Sequence, residues 1–113
     1  MNEIFAQGDL LIERGADVRP SGTITTPAAG PMVLAMGEAT GHRHAIYDRV
    51  TMFRDDNLAR DIPADLYVGH VRVEADLARV EHDEHASVDL PKRTYRVRRQ
   101  RELEPKDAAL VVD

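Results

Sequence analysis

The chain has 113 residues, enough for one modest hydrophobic core, and its 42% hydrophobic and 31% charged content is too apolar for global disorder. It holds no cysteine, which excludes disulfides and thiolate metal sites, so that any metal would need nitrogen and oxygen ligands. A net charge of −5 argues against a general nucleic-acid coat protein. No apolar run reaches the length of a membrane span, and Met1-Asn2-Glu3-Ile4-Phe5 lacks the basic and apolar regions of a signal peptide. A cytoplasmic protein without membrane contact is the expectation.

The periodicity is mostly that of strands. Residues 5–13 (FAQGDLLIE) predict an opening strand interrupted at Gly8-Asp9 by a bulge or bend. Residues 14–30 carry Gly15, Pro20, Gly22, Pro27 and Gly30 around a short Thr23-Ile24-Thr25 segment and read as a loop. Residues 32–36 (MVLAM) form a compact apolar run suited to a buried strand, followed by a turn over 37–41 and a strand over 42–47. A short strand is expected over 50–54, closed by Asp55-Asp56-Asn57. Residues 66–73 alternate clearly, and 76–80 are expected to continue the same sheet. The Leu90-Pro91 turn starts a last strand over 94–101. Only 61–66 and the tail have room for a helix. Many short strands punctuated by Gly and Pro predict an all-β fold, a small antiparallel β-barrel or jelly-roll-like sandwich. The β domain is expected over 1–104, with 105–113 a tail that is either a short helix or disordered.

Four of the five histidines fall in two clusters, Gly41-His42-Arg43-His44 and Glu81-His82-Asp83-Glu84-His85. A His-x-His pair on a strand directs both rings to one face, because side chains alternate. A His-x-x-His pair suits a turn or a helical piece. The two clusters, about forty residues apart, have the form of one site assembled from distant segments. His42, His44, His82 and His85 would give a three- or four-nitrogen centre for zinc, nickel, iron or copper. Glu84 and Glu81 are candidates for a general base or for supporting a ligand, and Glu38 is a further carboxylate. His70 stands alone in its strand and is expected to be a packed, hydrogen-bonded residue. Tyr47 and Tyr95 are expected in the core or at its rim, and Asp9 as a bend residue able to orient a histidine ring.

A basic strip, Lys92-Arg93-Thr94-Tyr95-Arg96-Val97-Arg98-Arg99-Gln100-Arg101, follows the acidic stretch 81–89. A local strip on an acidic protein suits a discrete anionic ligand or a charged edge strand. Alternation puts Arg96 and Arg98 on one face and Arg99 and Arg101 on the other, so one set alone can face the histidines.

In order along the chain, Gln7-Gly8-Asp9, Gly37-Glu38-Ala39-Thr40-Gly41-His42-Arg43-His44, Glu81-His82-Asp83-Glu84-His85 and Tyr95-Arg96-Val97-Arg98-Arg99-Gln100-Arg101-Glu102 form a pattern. It resembles a group of small uncharacterised bacterial proteins with the motifs G-E-x-T-G-H-x-H, E-H-x-x-H and Y-x-V-x-x-Q-R-E. Lys92-Arg93 depart from that pattern, where a small residue is usual, as does Leu103, where an aromatic is usual. The group implies no activity. His42 and His44 are also partly similar to the first metal motif of cupins. That motif adds a glutamate a few residues on, and here only Asp48 is near.

The chemistry implied is that of a small histidine-centred hydrolase, nuclease-like or phosphoesterase, in which Arg96, Arg98 or Arg99 clamps an anionic, phosphate-containing substrate such as RNA. The two versions are a metal-activated water and a metal-free acid–base pair of histidines, with metal favoured. The alternative is a non-catalytic binding, inhibitor or adaptor protein that grips a partner through the histidine and arginine face.

Overall fold

The computed structural model describes residues 4–25, 30–36 and 43–100. Ten strands appear in chain order: β1 (Ile4–Gln7), β2 (Leu10–Arg14), β3 (Thr23–Thr25), β4 (Met32–Met36), β5 (Arg43–Ile46), β6 (Val50–Arg54), β7 (Tyr67–Val73), β8 (Leu77–Glu81), β9 (Val88–Pro91) and β10 (Thr94–Arg99). They build a six-stranded sheet in the order β1-β2-β10-β7-β6-β3 and a four-stranded sheet in the order β4-β5-β8-β9. Every pairing is antiparallel. The fold is therefore all-β and sandwich-like, with two open sheets and no closed barrel. Among the described residues no helix is long and apolar enough to cross a membrane.

Alternation explains the layers. The six-stranded sheet turns Leu10, Ile12, Val71, Tyr95 and Val97 inward, and the four-stranded sheet answers with Met32, Leu34, Ile46, Val80 and Leu90. Each aliphatic side chain taken out of water in this way contributes about 1.5–3 kcal/mol. The other face of the six-stranded sheet is covered too. On the central strand β7, Gly69, His70 and Val71 are all buried, so both of its faces lie out of solvent.

Four local expectations are corrected. Gly8-Asp9 is no bulge but the two-residue turn of a hairpin, since Gln7 pairs directly with Leu10. Gly8 has φ +58° and Asp9 does not share that sign, the arrangement of a II′ turn, which needs glycine first and matches strand twist. Residues 76–80 do not extend the sheet of β7: β8 crosses to the second sheet and pairs with β5 and β9. Leu90-Pro91 is the end of an edge strand, where proline's missing N–H breaks no ladder. The turn follows at Lys92-Arg93. Over 61–66 there is one short 3-10 turn, Ala64–Leu66, and another forms earlier at Asp56–Leu58, capped by the Asp55 side chain. The expected turn at 37–41, His42 and the tail lie outside the described residues.

Leu90 tests this packing because it is fully buried on an edge strand and closes the core from the second sheet. Leu90→Ala is expected to lower unfolding stability by about 2–5 kcal/mol, read from urea denaturation followed by circular dichroism.

Candidate functional site

The β1–β2 hairpin turn, the start of β5 and the loop after β8 meet at one end of the sandwich. Gln7 closes β1 and is completely buried. Its side-chain amide donates to the carbonyls of Val80 (3.0 Å) and Ala86 (2.9 Å). With the nitrogen so engaged, the amide oxygen must face His44 Nδ1, at 2.8 Å. An oxygen can only accept, so the proton sits on His44 Nδ1 and the lone pair on Nε2. His44 itself is buried, at 1% exposure.

The lone pair on Nε2 points at a carboxylate, with Asp9 Oδ1 3.5 Å away. The other oxygen of Asp9 is paired with Arg99, and the Asp9 carbonyl accepts from the backbone N–H of Gln100 at 2.8 Å. Around this pair stand the two histidines of the second cluster. The rings of His44 and His82 are 4.5 Å apart, and those of His82 and His85 4.6 Å apart. His82 Nδ1 accepts from the backbone N–H of Glu84 at 3.0 Å, which leaves the proton of the neutral ring on Nε2. The glycine at position 8 is required twice: its φ is positive, and a Cβ there would lie 2.8 Å from His85 Nε2 and 3.5 Å from His44 Cε1.

The structure thus brings His44, His82 and His85 together with Arg99, through Asp9. His42 and Glu38 lie outside the described residues. Glu84 is exposed and contributes its backbone N–H to His82. Arg96 and Arg98 are engaged elsewhere: Arg96 binds Glu13 (2.7 Å) and Asp61 (2.6 Å), and Arg98 binds Glu13 (2.9 Å). Both stand with His70 on the outer side of the six-stranded sheet. His70 is a packed residue, stacked on Phe53 at 5.2 Å and bonded through Nδ1 to the Tyr67 hydroxyl at 2.7 Å. Tyr95 is a core residue whose hydroxyl donates to the Pro91 carbonyl, whereas Tyr47 is exposed. Gln7 was not foreseen. The one signal for it was the adjacency of an amide, a glycine and a carboxylate in Gln7-Gly8-Asp9.

Residues 6–100 match a family described as a domain of unknown function (DUF8820). The chain belongs to that family. No curated protein and no solved structure matches it. The matched span contains Gln7, Gly8, Asp9, His44, His82, His85 and Arg99, the whole of the cluster just described.

Burial lowers the pKa of His44 from 6.5 to about 4, with repulsion from His82 adding to the effect and Asp9 opposing it. At neutral pH the ring is therefore uncharged, with an available lone pair. Such a ring is a weak general base, since the most effective base titrates near the working pH. It is a good metal ligand, because protons do not compete for Nε2 until the solution is strongly acid. Two ligand atoms on a tetrahedral metal, each about 2.0–2.2 Å from it, lie roughly 3.3–3.5 Å from one another. The Asp9–His44 separation of 3.5 Å has that value. Among the described residues no group of three His, Asp or Glu side chains is already arranged to hold a metal ion.

The unfolded ring takes up a proton below about pH 6.5 and the folded ring resists it until about pH 4. Stability from this residue is complete above the upper value and is lost as pH falls through that window. Wild-type protein is expected to lose roughly 2 kcal/mol more stability between pH 7.5 and 4.5 than His44→Gln does. Urea midpoints at the two pH values measure it, and equal losses would contradict the assignment.

A second expectation concerns Gln7. Gln7→Leu leaves the buried Val80 carbonyl and the His44 N–H without their partner, at about 1–3 kcal/mol for each unsatisfied group, and takes one partner from the half-buried Ala86 carbonyl. The variant should be destabilised by roughly 3 kcal/mol or more and should lose the fixed His44 tautomer, visible in the ring 15N shifts.

Proposed function

We propose that the protein is a small metal-dependent hydrolase of phosphoester bonds, built around Asp9 and His44. The observation that carries this reading is the His44 lone pair facing a carboxylate at 3.5 Å. Two acceptors so placed repel one another unless a cation lies between them. Gln7 gives His44 the support usual for a metal-bound imidazole, accepting from its far N–H. His85 or His82 supplies a third nitrogen after a side-chain rotation, and His42 is the further candidate from the His-x-His pair. An all nitrogen-and-oxygen set of this kind suits zinc, nickel, iron or copper rather than calcium or magnesium.

A metal held by three protein ligands keeps a position for water and lowers its pKa, which generates a nucleophile at neutral pH. Glu84 is the candidate for receiving a proton from that water. Arg99, held beside Asp9, is the one of the three expected clamp arginines that stands at the histidines, and it supplies the cationic charge for phosphoryl oxygens. Arg96 and Arg98 are bound to Glu13 and Asp61 instead. The partial exposure of His82 and His85 also suits a binding protein that grips a partner without chemistry, and the same experiment separates the two.

Zinc or nickel titrated calorimetrically into the full chain should bind with one-to-one stoichiometry, and the affinity should fall at least tenfold in Asp9→Asn and in His44→Ala. Hydrolysis of bis-p-nitrophenyl phosphate should stop on chelation and return with metal. Hydrolysis unchanged by a chelator would remove the metal, and metal binding unchanged in both variants would remove this site. Metal binding without turnover of any phosphoester would leave the binding protein.

A further inference from the structure

Two adjoining hollows lie at the end of β10 remote from Asp9. One, of about 430 Å³, is lined by Arg14, Arg72, Lys92 and Arg93, with Asp17 the single carboxylate among its lining residues. The other, of about 340 Å³, is lined by Ala16, Val18, Leu58, His70 and Arg96, with the Glu13 carboxylate also in its wall and paired to Arg96. They share Arg14 and Gly15. Strand register explains the continuity: Arg72 faces Thr94 and His70 faces Arg96 across β7 and β10, so alternation places all four on one side.

We infer that the two hollows together form a binding site for a small organic phosphate, separate from the histidine centre. Four cationic side chains converge on the first hollow in a chain whose net charge is −5. Their concentration at one strand end is what recognition of a compact polyanion requires. Arg72 pairs with Glu74 at 3.3 Å with both side chains more than a third exposed, a pairing that solvent weakens.

The second hollow is suited to the uncharged part of the same ligand. His70 is 3% exposed. The Tyr67 hydroxyl accepts from the Asp55 N–H at 3.2 Å and donates to His70 Nδ1 at 2.7 Å. The His70 proton is then on Nε2, and among the described residues no hydrogen-bond acceptor for it is found. Burial first, and then Arg96, keeps the ring neutral by pulling its pKa down. A neutral N–H donor beside Val18 and Leu58 fits a ring or sugar bearing an acceptor atom. Five residue steps along β10 lead from Thr94, at this site, to Arg99, at the histidine centre, roughly 16 Å along an extended strand.

Adenosine diphosphate and pyrophosphate, titrated into the full chain at low salt by calorimetry, test the proposal. Both should bind, adenosine diphosphate at least tenfold more tightly. The double charge reversal Arg72→Glu with Lys92→Glu should weaken both at least tenfold without moving the urea midpoint at high salt. Val18→Trp, which fills the second hollow, should remove the advantage of adenosine diphosphate and leave pyrophosphate unchanged. No binding of either probe by the wild-type chain would overturn the site, as would affinities insensitive to charge reversal. Equal affinities for the two probes in the wild-type chain would overturn its bipartite character, and tighter binding of a single-stranded RNA would overturn the small-ligand assignment.

Discussion

One buried amide ties the molecule together. Gln7 belongs to the six-stranded sheet, yet its side chain bonds to β8 and to the loop before β9, and it sets the orientation of His44 on β5. A fully buried amide is tolerated only when its donors and acceptor are answered, and in a low-dielectric interior each of those bonds is stronger than in water. The same requirement that holds the two sheets in register therefore fixes the tautomer of the one fully buried histidine in the cluster. Stability and site chemistry meet in three hydrogen bonds, and the hairpin turn immediately after Gln7 delivers Asp9 to the opposite side of that imidazole.

The six-stranded sheet has two unlike buried faces. The inner one is aliphatic and packs on the second sheet. The outer one is polar: His70 stacks on Phe53 and meets the Tyr67 ring edge-on, while Arg96 gathers Glu13 and Asp61. Ser21 bonds to Asp55 at 2.7 Å and fastens the β2–β3 loop over that face. The 3-10 turn at Asp56–Leu58 and the segment that follows complete the cover, with Leu58 contributing its carbonyl to Arg96. This layer accounts for Arg96 and Arg98, two of the three arginines that the sequence offered as anion clamps. A guanidinium between two carboxylates is already satisfied, so Arg96 acts in the architecture.

The positions of most strands were legible because alternation is a local property. Residues 66–73 alternate, 32–36 form a compact apolar run and 50–54 a short β segment, signals that need no reference to anything distant. The histidine clusters were legible for a similar reason, since imidazoles at short spacing are conspicuous whatever surrounds them. Less was legible where a local signal is shared by two structures. Gly-Asp inside an apolar run is compatible with a bulge and with a hairpin turn, and only the pairing of Gln7 with Leu10 decides between them. Leu-Pro before a basic strand reads as a turn until β9 is seen to lie at an edge, where proline costs the ladder nothing.

The sequence by itself determined the all-β class, the alternating core positions and the presence of two histidine-bearing segments, because these follow from side-chain periodicity and composition. Tertiary structure alone decided which segments meet. Sending β8 to the second sheet carries His82 and His85 to His44, and the hairpin brings Gln7 and Asp9 to the same place from the far end of the chain. The parity of β10 placed Arg99 beside Asp9, and the bulge between Val97 and Arg98 let Arg98 remain with Arg96 on Glu13. Contacts between residues seventy or more positions apart depend on sheet order and register, and these are set by the packing of the whole core, which no local stretch of sequence encodes.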